Sequence, residues 1–194
     1  MRSRRVEGFD EEGVVAKALA TARNTKRGTR YIVQAKEKED SDYADRVLIS
    51  ATDDPKKIDV QIRHFDTDVI AQLNKEGQFA GARGSVDLAE GITKAIVSKA
   101  RIDVGTKSRA ILLLQIPSAI GQMARKQLQR MSFDLKGFKE VWVSPFREEP
   151  FELFPPIPED WIAVAACYLW DKAARPWGDD QKFWFAAIDE IRGL

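Results

Sequence analysis

The chain has 194 residues, 44% hydrophobic and 31% charged, which fits one folded domain with a small appendage and excludes a disordered polymer. Lysine and arginine total 31 against 30 acids, a net charge of +1, so bulk charge does not make it a coat for nucleic acid, although a local basic groove remains open to it. One cysteine and one histidine exclude an intrachain disulfide and a Cys/His zinc cluster; with no long apolar run or secretory leader, a reducing, cytoplasmic setting away from membranes is expected.

Residues 9–24, FDEEGVVAKALATARN, predict a helix. Asp10, Glu11 and Glu12 sit in its first turn, where the helix dipole favours acids. Val14, Val15, Ala18 and Leu19 give it an apolar stripe, and Gly28 is the expected stop. Three strand-like runs follow: TRYIVQAK, RVLIS and KIDVQIRHF. The turn chemistry of ATDDPKK joins the last two as a hairpin.

DVIAQLNKEG predicts a short helix closed by Gly77, and GQFAGARG a Gly-rich loop without the P-loop lysine pattern. SVDLAEGITKAIVSKARI predicts a helix capped by Ser85, with Leu88, Ile92 and Ile96 on one face. RAILLLQIP is the most apolar run and reads as a central strand buried on both sides. SAIGQMARKQLQRM predicts a further helix with Ile120, Met123 and Leu128 on one side. KEVWVSPF reads as a second buried strand and FELF as a short edge strand.

PPIPED, residues 155–160, is a stiff joint. Beyond it, DWIAVAACYLWDKAA and DDQKFWFAAIDEI predict two helices around ARPWG, packing through Trp161, Leu169, Trp170, Phe183 and Trp184 with Cys167 buried among them. The expected class is α/β: a mixed central sheet flanked by helices over residues 9–154, with a helical C-terminal domain over 159–194.

This layout of helix, three-strand meander, helix, strand, helix, strand resembles the restriction-endonuclease-like fold of the PD-(D/E)xK nuclease superfamily, over roughly residues 9–145. The family places an acid at its second strand and an acid or glutamine, then lysine, on its third. Asp45 in YADRVLIS takes the first position, with Ala44 where proline is frequent. Two alignments of the third strand stay open. Asp59-Val60-Gln61 keeps the acid and loses the lysine; Gln61-Ile62-Arg63 puts arginine in its place.

The resemblance implies phosphodiester hydrolysis on nucleic acid, with Mg2+ held by Asp45, Asp59 and Gln61 and with Arg63 as the balancing cation. Strand alternation puts Asp59, Gln61 and Arg63 on one face; Gln34, Lys36 and Glu11 or Glu12 could border it. The departures from the family pattern keep a second reading open: a module that retains the fold without the metal and binds a protein partner or a second copy. An ordinary amphipathic strand would also alternate this way. His64 is expected on the apolar face, packed. Basic residues in TARNTKRGTR, at Lys94, Lys99 and Arg101, and at Arg125, Lys126 and Arg130 would form a phosphate track only by converging.

The C-terminal stretch is similar to a small bacterial helical domain of uncharacterised function. The carrying residues are Leu169-Trp170, Arg175-Pro176 with Gly178, and Trp184 followed by Ala186 and Ala187.

Overall fold

A computed structural model describes residues 10–35, 44–65, 82–101 and 104–194. Helix α1 (Glu11–Arg27) starts where the Asp10 side chain accepts the Gly13 N–H at 2.9 Å, and stops at Gly28 in the left-handed conformation. Strands β1 (Tyr31–Ala35), β2 (Arg46–Ser50) and β3 (Lys57–His64) form the antiparallel meander that the turn residues predict. Next come α2 (Ala82–Ser98), the single turn α3 (Val104–Lys107), β4 (Ala110–Ile116), α4 (Gly121–Arg130), β5 (Glu140–Pro145) and β6 (Phe151–Leu153). The helix expected at 68–77 and residues 77–81 of the Gly-rich run lie outside the described residues. Helix α2 begins before Ser85, which therefore lies inside the helix and not at its cap.

The six strands make one sheet in the order β1-β2-β3-β4-β5-β6. Strands β3, β4 and β5 are parallel because a helical crossover separates each from the next, and β6 returns antiparallel at the edge. The fold is thus α/β with a mixed sheet, as its element order predicts. RAILLLQIP is buried on both faces, with only Gln115 of β4 partly open.

Register separates the two faces. Leu48, Ile58, Val60, Ile62, Ile111, Leu113 and Trp142 share one face and pack under Val15, Leu19 and Ala22 of α1. Leu112, Leu114, Val141 and Val143 share the other, packed under Leu88, Ile92 and Ile96 of α2 and Ala124 and Leu128 of α4. The α4 contact row is Ile120, Ala124 and Leu128, at i, i+4 and i+8. Met123 lies off that row and is exposed, against the sequence expectation.

The chain leaves the sheet at Leu153 and forms α5 (Glu159–Lys172) and α6 (Asp180–Arg192). Ile162, Leu169, Trp184, Ala187 and Ile188 pack between them. The turn explains the motif residues. Trp170 Nε1 donates to the Pro176 carbonyl at 3.0 Å, Arg175 lies over the Trp170 ring and pairs with Asp171, and Gly178 takes φ 82°.

Two expectations fail here. Trp161 is exposed and outside the cluster between α5 and α6, and Cys167 is exposed, because Ile162 and Leu169 claim the inward row. The pair is tied to the core by Arg192, which donates to the carbonyls of Gln129, Met131 and Pro155 and to Ser132 Oγ. An Arg130–Asp189 ion pair lies beside it and holds the Asp189 carboxyl below its ordinary range. No helix among the described residues is long and apolar enough to cross a membrane.

Candidate functional site

Asp45 sits one residue before β2, against the middle of β3. Its N–H donates to the Val60 carbonyl at 2.9 Å, and its Oδ2 accepts the Ile62 N–H at 2.7 Å. The β2–β3 ladder ends at Arg46–Val60, so the carboxylate takes over a donor that the ladder leaves. Asp45 Oδ1 accepts no hydrogen bond among the described residues.

Alternation puts Asp59, Gln61 and Arg63 on one face of β3, as the sequence implies, but that face is not the one under α1. Gln61 pairs in register with Leu112 and Arg63 with Leu114, both on the side packed by α2 and α4. Gln34 is on the same face as Asp59, with Val47 between them, and Lys36 lies outside the described residues. The three residues grade from half-buried Asp59 through Gln61, 1% exposed, to exposed Arg63 at the strand end. Gln61 Oε1 is buried without a hydrogen-bond partner. A magnesium ion takes near-octahedral oxygen ligands and keeps several waters. Gln61 would reach such an ion only by a shift of the packing above it.

Glu11 and Glu12 are on the opposite layer and have other partners. Glu11 Oε1 accepts Gln115 Nε2 at 2.9 Å, while Glu12 accepts Arg46 Nη1 at 3.1 Å; Arg46 also pairs with Asp10. Helix α1 therefore joins β2 and β4 through its acidic first turn, and neither glutamate borders Asp59, Gln61 and Arg63.

A polar row not expected from the sequence crosses the sheet on the α1 face. His64, Gln115 and Ser144 are register partners at the carboxyl ends of the three parallel strands, the end where open α/β sheets hold ligands. Gln115 Oε1 and the nearby Ser118 Oγ are buried without partners. The available signal was Gln115 itself, the one polar residue inside the apolar stretch of RAILLLQIP. His64 is exposed there and not packed, because the strand end runs past the α1 cover.

Among the described residues many of the basic groups are paired with acids. Arg23 and Arg27 meet Glu140, Lys26 and Arg27 meet Glu152, Lys94 meets Glu90, and Lys126 and Arg130 meet Asp189. Among the described residues no group of three His, Cys, Asp or Glu side chains is placed to hold a metal ion. No family model, curated protein or solved structure matches the chain.

Proposed function

We propose that the protein is a non-catalytic binding module: a nuclease-like α/β scaffold that carries a helical pair for a protein partner. One observation carries this reading. Trp161, Val164 and Tyr168 lie at i, i+3 and i+7 on α5 and are 63%, 71% and 63% exposed, while Ile162 is the buried residue of that helix. An apolar stripe facing away from its own core is the form that helix-in-groove recognition takes. The use of Asp45 Oδ2 by the Ile62 N–H and the burial of Gln61 favour this reading over hydrolysis.

The second reading is metal-dependent phosphodiester cleavage of nucleic acid by Asp45, Asp59, Gln61 and Arg63. What favours it is Asp45 seated against β3 with its Oδ1 unbonded among the described residues, and Arg63 exposed on the same strand. Magnesium would supply Lewis-acid activation of water there.

Two measurements on the full chain test the choice. Cleavage of single-stranded and duplex DNA and RNA with Mg2+ or Mn2+ is expected to stay at background. Replacing Trp161 and Tyr168 by serine together is expected to leave the melting temperature unchanged, as for a face kept for a partner. Cleavage that disappears in Asp45→Ala gives the assignment to the second reading. A marked loss of stability in the double variant assigns the α5 face to folding.

A further inference from the structure

A groove of about 350 Å³ runs between α5 and α6, on a different flank of α5 from the Trp161 stripe. That volume is in the range of ligand pockets. Its walls are the rings of Trp170, Phe183 and Trp184, with two alanines and Cys167 along α5. Asp180 supplies its one acidic group and no basic side chain lines it.

The nearby cations are turned to other acids. Arg175 pairs with Asp171 at 2.7 Å and Lys182 with Asp179 at 3.4 Å, each also lying 5.7 Å from an aromatic centroid, of Trp170 and Phe183 respectively. Asp180 receives no hydrogen bond or ion pair among the described residues. Trp170 Nε1 is already satisfied by the Pro176 carbonyl, so the indole offers the groove its ring and not its donor.

Three aromatic rings beside an unpaired carboxylate make a site for a cation with an apolar stem. The rings attract positive charge through their quadrupoles, the carboxylate adds direct attraction, and the alanines admit methylene groups. We infer that this groove takes a lysine side chain of the protein partner, its ammonium at Asp180 and its stem between Trp170 and Trp184. The inference rests on the binding-module reading and deepens it: the α5 stripe supplies apolar area, and the groove selects for charge.

The test uses N-acetyl-lysine-methylamide, with N-acetyl-norleucine-methylamide as the same molecule without the ammonium. Titration of the full chain is followed by the indole NMR signals of Trp170 and Trp184. A second readout is the alkylation rate of Cys167, the only cysteine in the chain and a wall of the groove. The lysine amide is expected to shift both indoles, to slow alkylation, and to bind roughly fivefold tighter than the norleucine amide, the factor for one exposed ion pair of about 1 kcal/mol with Asp180. Asp180→Asn should remove most of that preference while circular dichroism stays unchanged. Equal binding of the two amides, no response to either, or a preference that survives Asp180→Asn overturns the assignment. Those failures leave the cleavage assay untouched, so a lost groove and a lost binding-module reading are told apart.

Discussion

Arg23 and Glu140 are 117 positions apart in the chain and meet as a bidentate pair between α1 and β5. Arg23 Nε and Nη2 reach the two Glu140 oxygens at 2.9–3.2 Å, and Trp142 Nε1 donates to the same carboxylate at 2.9 Å. Both side chains are about 95% buried. Burial pushes the Glu140 carboxyl up, but the hydrogen bonds from Arg23 and Trp142 and the charges of Arg23 and Arg27 outweigh it, so the group titrates below its ordinary value.

The depressed carboxyl sets a pH dependence. Its contribution is fully present above the unfolded-state pKa and is lost as pH falls through the lower folded-state pKa. Arg23→Ala strands a buried charge and is expected to cost about 3–5 kcal/mol at neutral pH. Urea unfolding at stepped pH should show the gap between wild type and variant narrowing below the ordinary glutamate range. A gap constant from pH 7 to 3 would count against the pair as its source.

Asp45→Ala is expected to destabilise the fold by about 1–3 kcal/mol, because it leaves the Ile62 N–H without its acceptor. Asp45→Asn retains an oxygen in that place and should recover most of the loss. Chemical denaturation of the three proteins decides this; equal melting of wild type and Asp45→Ala would remove the structural role given to the carboxylate.

Trp170→Phe deletes the 3.0 Å bond to the Pro176 carbonyl and keeps the ring. A loss of about 1 kcal/mol is expected, confined to the helical pair. Amide exchange in residues 174–178 should accelerate while the sheet strands keep their protection. Uniform acceleration across the chain would show that the turn is coupled to the whole fold.

Ending the chain after residue 158 leaves α1 and all six strands in place. It also removes Arg192, the donor to four acceptors around residues 129–155. The shortened protein should keep a folded far-ultraviolet dichroism, reduced by the helical signal of α5 and α6, and melt at a lower temperature than the full chain. Loss of the folded signal would place the pair within the main core.

The strands were legible where composition is extreme: the apolar runs that become β4 and β5 have no other stable place in a chain of this polarity. The α1 stop was legible too, since Gly28 acts on its immediate neighbours, whereas Asp10 reads as a first-turn acid and not as the cap, and the cap expected at Ser85 lies inside α2. Period two predicts correctly that Asp59, Gln61 and Arg63 share a face. It carries no information on which helix covers that face, because the cover comes from residues 82–130. The exposures of His64, Trp161 and Cys167 were misjudged for the same reason. Each is apolar or half-polar in a suitable local pattern, and each lies outside the packed row of its element: His64 at an exposed strand end, Trp161 exposed on α5, and Cys167 on an open groove. Gln115 was visible as a lone amide among leucines; its significance required the register with His64 and Ser144.

The position of α1 has a consequence for synthesis. It is the first described helix to leave the ribosome, yet its cover includes Ile111, Leu113 and Trp142, and its buried guanidinium waits for Glu140. At about 5–20 residues per second, the 117-position interval is roughly ten seconds of elongation in which Leu19 and Arg23 lack their final neighbours. The apolar stripe of α1 is then left open to solvent until those neighbours arrive. Arrested chains compared for protease sensitivity within residues 11–27 should become resistant only after β5 has cleared the exit tunnel. Resistance before β4 emerges would mean that α1 first docks on the β1–β3 meander alone.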